Sequence, residues 1–355
     1  MRAKFLSWVS LASIAIIALW LVSLPSASAA QQFQVVATID VGVNPFGDAI
    51  APDGNTLWVA NSGTFSDPGA TVTVVNANTF AIDSVIPVGG FPEDIAFARA
   101  GSQAFVTNSN DATVSVMDTV SRTTRQTVDL AAVPMEFPFG IIATQDSQTV
   151  LVTSVAGQRD TSFKNVGLLD NSDPTNVRVA GGIDIVGGTG RPALTPDGSI
   201  MILPFSTGAE APPGVAFVDT DSNEIVEELM LPTVGIAPAA TVTPDGRSAY
   251  VNVFCIDGCP GEVWVIDLAT RSTVTLIPTP DPSMHGVRAS PDGRFVFATN
   301  FSVGQVSVIS TATNQIIANI PVGQNPNDIA FTPDGSKAFV TNQGDTTVSV
   351  ISISG

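Results

Sequence analysis

The stretch "NPNDIAFTPDGSKAFVTN", Asn325–Asn342, holds two short apolar runs joined by Pro-Asp-Gly. The glycine can take the positive φ that a hairpin turn requires. The turn recurs upstream, and its last position in each copy is Gly54, Gly101, Ser147, Gly198, Gly246, Gly293 and Gly335. Successive intervals are 47, 46, 51, 48, 47 and 42 residues. Seven units of this length indicate four-stranded propeller blades, because helical repeats would show a 3.6-residue period.

Each unit contains four apolar runs, named A to D from the centre of the ring outward. The run Phe33–Val41 is of D type and has no A to C before it, whereas the last unit ends at its C run, Val348–Ile353. Pairing these two runs completes the seventh blade and removes an open edge. The sequence therefore predicts an all-β, seven-bladed propeller of four-stranded antiparallel blades over residues 30–355, with the last blade closed by the N-terminal strand.

Residues 1–29 have the layout of a signal peptide. Arg2 and Lys4 precede an apolar stretch, Phe5–Leu24, and the small residues Ala27 and Ala29 follow it. We expect cleavage and export, to the periplasm, the cell surface or the medium. Because the apolar stretch is long, an uncleaved membrane anchor is the alternative. No second long apolar segment follows, so no membrane span is expected after cleavage.

The charge of the chain argues against nucleic-acid binding. Removing Arg2 and Lys4, in a signal that carries no acid, changes the formal net charge from −18 to −20. Phosphate backbones are repelled by such a chain, and the remaining Lys and Arg form no basic run. Acidity of this kind is typical of a soluble exported protein, and a monomer is expected.

The two cysteines, Cys255 and Cys259, lie close together in "FCIDGCPG". In an oxidising compartment the pair favours a disulfide that closes a small loop. A metal or redox role is the alternative, but two thiols alone do not complete a zinc shell.

The loops identify one face of the ring as the variable one. The A–B turns barely change in length, whereas four B–C loops are long: Ser62–Gly69, Ala156–Asn165, Ser206–Pro213 and Cys255–Gly261. B–C and D–A loops share a face in a propeller, so this face is expected to meet a partner.

The residues that begin the A runs should converge at the channel mouth on that face. They lie eight and seven positions before the turn glycine, and those with candidate chemistry are Phe46, Glu93, Asp94, Phe139, Arg191, His285, Asn327 and Asp328. In a ligand site, Arg191 would bind an anionic group, His285 would donate or shuttle a proton, and the carboxylates would accept. The alternative is that these residues only satisfy strand ends and solvate the mouth. Glu136, Asp281 and Met284 lie nearby in sequence.

Seven residues past the turn, four units carry asparagine, which we expect to hydrogen-bond its own backbone and start the B–C loop. Elsewhere the sequence has no Gly-x-Ser-x-Gly elbow, P-loop or His-Glu-x-x-His motif. The glycines of "GGTGRP" precede no helix that would cradle phosphate. No cofactor and no metal are therefore predicted.

The segments "AFVTN" at Ala104–Asn108 and Ala338–Asn342, and "LWVAN" at Leu57–Asn61, resemble the YVTN-type β-propeller repeat family, together with the Pro-Asp-Gly turns. The resemblance covers the mature chain and fades in the third to fifth units, where "VLVTS", "MILPF" and "AYVNV" stand. It implies a secreted seven-bladed propeller of the surface-layer or periplasmic type. Since propellers host unrelated activities, the resemblance indicates fold more strongly than function.

Two functions follow from this interpretation. The first is a non-enzymatic module that binds a protein, a glycan or a small molecule through the D–A and B–C loops. The second is an enzyme, because seven-bladed lactonases and lyases resemble this architecture and use His, Arg and acids at the mouth. Quinone-linked amine dehydrogenase subunits also look similar, but no haem motif or cofactor-forming residue pair is present.

Overall fold

A computed structural model describes residues 32–155, 165–255 and 260–354. These residues form 29 strands in seven sheets. No helix long and apolar enough to cross a membrane is found in these three ranges. The predicted signal peptide and Cys259 lie outside the described residues. Cys255 is buried, and its pairing with Cys259 stays a prediction.

Blades 1 to 3 follow one another along the chain, each running from strand A to strand D. Blade 1 contains β2 (Pro45–Ile50), β3 (Thr56–Gly63), β4 (Pro68–Asn76) and β5 (Ile82–Pro87). Blade 2 contains β6 (Pro92–Phe97), β7 (Gln103–Asn108), β8 (Thr113–Asp118) and β9 (Thr123–Asp129). Blade 3 contains β10 (Pro138–Ala143), β11 (Thr149–Ser154), β12 (Val166–Asp170) and β13 (Arg178–Ile183).

Blades 4 to 6 repeat this order, except that strand A of blade 4 is split in two. Blade 4 contains β14 (Gly188–Thr189), β15 (Ala193–Leu194), β16 (Ile200–Ser206), β17 (Gly214–Asp219) and β18 (Glu224–Met230). Blade 5 contains β19 (Ile236–Val242), β20 (Ser248–Phe254), β21 (Glu262–Asp267) and β22 (Ser272–Pro278). Blade 6 contains β23 (Met284–Ala289), β24 (Phe295–Asn300), β25 (Gln305–Ser310) and β26 (Gln315–Pro321).

Blade 7 joins the two ends of the chain. It contains β27 (Pro326–Phe331), β28 (Lys337–Asn342), β29 (Thr347–Ser354) and, as its outer strand, β1 (Gln32–Asp40). β1 runs antiparallel to β29, from the pair Gln32–Ser354 to the pair Asp40–Thr347. The predicted seven-bladed propeller and its closure by the N-terminal strand are confirmed.

Apolar side chains fill the gaps between neighbouring blades. Seven buried clusters are present, one in each gap. The gap between blades 7 and 1 contains Ile39, Leu57 and Phe339, so it is packed like the other six. Burial of apolar surface on both faces of every blade is the main force that holds the ring together.

The two faces of the ring differ in how far their connections vary. All seven A–B turns have five residues, from 51–55 to 332–336. The fourth residue of these turns adopts a positive φ, 68° at Gly335 and 59° at Ser147, as the repeated turn predicts. The B–C loops range from four residues at 64–67 to eleven at 155–165. The prediction of a long loop at Ser62–Gly69 was therefore wrong, because β3 and β4 extend into it. We call the side of the A–B and C–D turns the turn face, and the side of the B–C and D–A loops the loop face.

The asparagines that end strand B act differently from our expectation. Asn108 does not cap its own loop. Its Oδ1 accepts from the backbone N–H of Gly89 at 3.1 Å, and its Nδ2 donates to Thr113 and Ser115, each at 3.0 Å. Asn342 does the same with Gly323. In these blades the asparagine therefore ties the preceding D–A loop to strands B and C, whereas Asn300 Oδ1 in blade 6 has no hydrogen-bond partner.

Candidate ligand site at the channel mouth

Bulges in the innermost strands create the site. In six blades the pairing register of strand A shifts after its first residue, as between Pro92 and Ile95 in β6. In β2, β6, β10, β23 and β27 the shift encloses the two positions that the sequence register singled out. A bulge changes the direction of its side chains. Glu93 and Asp94, although consecutive, are both buried.

The threonine of the "VTN" motif fixes these bulges. The backbone N–H of Asp94 donates to Thr107 Oγ1 at 3.0 Å, and the Thr107 hydroxyl donates to Phe139 O, in the next blade, at 2.7 Å. Thr341 connects Asp328 to Phe46 O in the same way. The repeat motif therefore positions site residues, a role that its place in strand B did not reveal.

Arg191 enters the channel where strand A of blade 4 is broken. Its backbone N–H donates to Pro238 O at 2.8 Å, and its carbonyl accepts from the N–H of Ala240 at 3.1 Å. Arg191 thus pairs with the innermost strand of blade 5. A side chain at Gly140 would meet the Arg191 Cα at 2.9 Å, so glycine there allows the close approach.

The guanidinium of Arg191 is buried among polar groups from two other blades, blades 2 and 7. Its Nε lies 3.6 Å from Asp94 Oδ2 and 3.8 Å from Asp328 Oδ2. Its Nη1 and Nη2 each lie 3.4 Å from Asn327 Oδ1, as donors. Because two carboxylates already face the cation, Arg191 offers little net attraction to an anionic ligand, in contrast to the role expected from sequence.

Two aromatic rings separate this cluster from the mouth. The Arg191 Cζ lies 5.3 Å from the ring centre of Phe46 and 4.8 Å from that of Phe139. The two rings meet edge to face, with 6.0 Å between their centres. This geometry combines cation–π attraction with a hydrophobic surface on the far side of the rings.

Sequence reasoning missed two charged residues of the cluster, Asp48 and Arg288. Asp48 lies one position, and Arg288 two positions, after the pair of strand A positions that the sequence register singled out. Asp48 is buried and neither of its carboxylate oxygens has a hydrogen-bond partner. Burial, and then the charge of Asp328, raise its pKa well above the usual range. Arg288 Nη2 lies 3.4 Å from Asp328 Oδ1. Two further offsets in the same register would have found both residues.

Burial is the main cause of a raised pKa at three carboxyl groups of this site, Asp48, Glu93 and Asp94. Burial raises the pKa of Glu93 to about 7, although Arg191 and a hydrogen bond from Ser109 oppose the rise. Burial likewise raises the pKa of Asp94 to about 6, against the effect of Arg191. Near neutral pH, Glu93 is therefore partly protonated.

A cavity of about 440 Å³ opens at the mouth, on the loop face. Apolar and aromatic side chains form most of its wall, among them Phe46, Phe139, Ile236, Phe254 and Met284. His285 also lines it, and Val155 and Thr207 lie at its exposed edge. Of the predicted site residues, Phe46, Phe139 and His285 reach this cavity. Arg191, Asp94, Asn327 and Asp328 meet behind the two phenylalanine rings, and Glu93 is buried near them.

The imidazole of His285 is stacked on Phe301, with ring centres 4.3 Å apart. Burial, and then the charge of Arg191, lower the pKa of His285 to about 4. The ring is therefore neutral at physiological pH and presents one N–H donor and one nitrogen acceptor. The carboxylate of Asp281, by contrast, already accepts a hydrogen bond from the backbone N–H of Ser283.

Glu93 gives the site a testable dependence on pH. Its folded pKa of about 7 exceeds the ordinary value of 4.5, so the folded state keeps a proton that the unfolded chain releases. The stabilisation is complete below pH 4.5 and is lost as the pH rises through 7. Glu93→Gln removes this dependence. Relative to wild type, the variant should gain about 3 kcal/mol between pH 4.5 and pH 8, at about 1.4 kcal/mol per pKa unit.

Urea unfolding of both proteins across this range measures the difference. His285 acts in the opposite direction, since its stabilising effect is lost as the pH falls from 6.5 towards 4. It is common to both proteins and cancels in the comparison. A difference that stays constant with pH would show that Glu93 has no raised pKa.

Comparison with known proteins shows the fold alone. No family model matches the chain, and no curated protein matches its sequence. The YVTN-type family therefore remains a resemblance. Within the described residues, no group of three His, Cys, Asp or Glu side chains could hold a metal ion.

Solved structures of other propellers superimpose well. Hydrazine synthase of Kuenenia stuttgartiensis matches with a TM-score of 0.76 and 20% identity, over 87% of this chain and 95% of that one. The β-propeller domain of Cps50 (Swd1) from Myceliophteria thermophila matches with a TM-score of 0.70 and 12% identity, over 91% of this chain and 100% of that one. These likenesses transfer no activity, because proteins of different function share the fold.

Proposed function

We propose that this protein is an exported binding module whose ligand site is the cavity at the channel mouth. The observation that carries the proposal is the cavity itself, about 440 Å³ in volume and walled by Phe46, Phe139, Phe254 and Met284. Concave, mostly apolar sites with a few polar groups are typical of small-molecule binding. Export follows from the signal-like residues 1–29.

The chemistry of the wall favours a neutral ligand with an aromatic or apolar body. His285 is uncharged and can exchange one hydrogen bond in each direction. The buried cation Arg191 is already faced by Asp94 and Asp328. An anionic group would therefore lose its hydration without gaining a free positive partner.

The second candidate function is a lactonase- or lyase-like enzyme. Glu93 supports it, because a pKa of about 7 suits a general base and its Oε2 has no hydrogen-bond partner. Against it, Glu93 is not part of the cavity wall, and Arg191 faces carboxylates rather than the open cavity. Turnover of a compound from a lactone panel, lost in Glu93→Gln, would favour the enzyme.

Three indole derivatives of similar size test the binding proposal: indole-3-acetamide, indole-3-acetate and tryptamine. We expect the neutral acetamide to bind with a Kd of about 1 mM or tighter. This value follows from a binding free energy of about 0.3 kcal/mol per non-hydrogen atom of the ligand. The anionic acetate should bind most weakly. Titration followed by ligand-observed NMR measures all three.

A cavity-filling variant and a matched control locate this binding. Val155→Trp places an indole at the edge of the cavity and should weaken indole-3-acetamide about tenfold or more. Val120→Trp makes the same change at an exposed C–D turn and should leave binding unchanged. Equal affinities of both variants, or tightest binding of indole-3-acetate, would contradict the proposal.

A further inference from the structure

The charged residues of the protein are distributed unequally between its two faces. Within the described ranges, every Lys or Arg outside the channel lies in an A–B or C–D turn or at the strand ends beside them: Arg99, Arg122, Arg125, Arg178, Arg247, Arg271, Arg294 and Lys337. Most of them pair with an acid, as Arg271 does with Glu227 at 3.0 Å. The turn face therefore carries both signs of charge.

The loop face carries acids instead. Nine that are not buried lie in its loops or at the adjoining strand ends, at Asp40, Asp67, Asp111, Asp129, Glu136, Asp184, Glu210, Glu262 and Asp345. No Lys or Arg accompanies them in the part of the chain that the structure describes. Arg159 and Lys164 belong to residues 156–164, which are not described. The nine acids far outnumber these two cations.

Exposed apolar side chains follow the same division. Seven lie in the D–A and B–C loops, at Val43, Phe65, Phe137, Val155, Val186, Val234 and Val303, and only Val120 lies in a described turn of the other face. Phe65 is 93% exposed. It is nevertheless held in place, because it stacks on Phe91 with ring centres 5.2 Å apart. Exposed apolar groups within a polar surround are typical of protein-interaction surfaces.

We propose that the loop face docks a positively charged polypeptide segment and that the cavity receives one of its apolar side chains. The inference rests on the proposed function of the cavity and names its partner. Three features support this partner: an acidic surface, seven exposed apolar side chains in the loops, and a cavity of about 440 Å³. A small molecule in the cavity would leave the outlying Val43, Phe65 and Val303 uncovered.

Labelled dodecapeptides test this inference by fluorescence anisotropy at low and high salt. The first contains Lys, Phe and Ser, the second replaces each Phe with Ser, and the third replaces each Lys with Glu. The first should bind tightest and should weaken with salt. The second should lose affinity because no aromatic side chain enters the cavity, and the third should not bind.

Two triple charge reversals locate the binding face. Asp40→Lys with Asp67→Lys and Glu210→Lys changes exposed acids of the loop face, and should weaken the first peptide about tenfold or more. Asp53→Lys with Asp221→Lys and Glu224→Lys makes the same change in net charge on the turn face, and should have much less effect.

Equal weakening by the two triple variants would overturn the inference, because the attraction would then come from net charge alone. So would equal binding of the first two peptides, or binding of the third. If the peptides fail while indole-3-acetamide still binds and Val155→Trp still weakens it, only the partner assignment is wrong. If neither the peptides nor indole-3-acetamide bind, the cavity is not a binding site.

Discussion

Replacing Arg191 with methionine should destabilise the protein by about 3–5 kcal/mol at pH 8, the usual cost of removing one partner from a buried ion pair. Methionine is shorter than arginine but keeps an unbranched apolar side chain and leaves the backbone bonds to blade 5 in place. It removes the cation that lies 3.6 Å from Asp94 Oδ2 and 3.8 Å from Asp328 Oδ2, and only Arg288 remains beside Asp328. Urea unfolding measures the loss.

The loss should depend on pH, and its sign follows from the acids left behind. Burial already raises the pKa of Asp94 to about 6 in the presence of Arg191. Without the cation the pKa rises further, so the folded variant takes up protons that its unfolded chain releases. The destabilisation should therefore be largest above the raised pKa and should shrink as the pH falls towards 4.

Two further variants show whether the effect comes from the buried charge. Arg288→Met removes an arginine that also faces Asp328, at 3.4 Å, but whose side chain is 39% exposed. Its effect should be clearly smaller. Asp94→Asn should partly rescue Arg191→Met, because it removes one uncompensated carboxylate. Equal effects of the two arginine variants, without rescue, would show that the cluster is not electrostatically coupled.

Deleting residues 32–40, the whole of β1, should cause the second large effect. The deletion removes the backbone ladder to β29 and leaves that strand as an open edge. It also removes buried Ile39 from the gap between blades 7 and 1, and Phe33, whose ring centre lies 5.2 Å from that of Phe295. A loss of this size should lower the melting midpoint by about 10 °C or more and promote aggregation.

A peptide of residues 32–42 provides the control for this deletion. Added in trans, it should restore the melting midpoint, because β29 and the neighbouring blades hold the strand in place. Substituting alanine for the exposed Gln32 and Gln34 should have little effect, since the ladder uses backbone groups. A deletion variant as stable as wild type would contradict closure of the ring by β1.

The architecture could be predicted because the same sequence pattern occurs in every blade. The turn sequence around Gly335, the 42- to 51-residue spacing and the unmatched D run at Phe33–Val41 define blades, strands and closure. The same register placed Phe46, Phe139 and His285 at the mouth, since the first residues of strand A occupy equivalent positions in every blade. The family resemblance has no support beyond these motifs.

The electrostatics of the site could not be predicted in this way. The break between β14 and β15, which brings Arg191 towards Asp94, departs from the repeat and has no periodic signal. Asp48 belongs to the charged cluster around Arg191, but it does not lie at either of the two strand A positions that the sequence register singled out. The role of Thr107 depends on a carbonyl 32 residues away in the next blade. The sequence pattern of a single repeat does not show which side chains of different blades will meet.

The central claim is that the cavity at the channel mouth binds a ligand, and a crystal structure of the protein soaked with indole-3-acetamide tests it most directly. The account predicts electron density for the indole between Phe46, Phe139 and His285, and none there in a crystal of Val155→Trp. Density found only on the turn face or along the outer strands, with the cavity empty at saturating ligand, would contradict it.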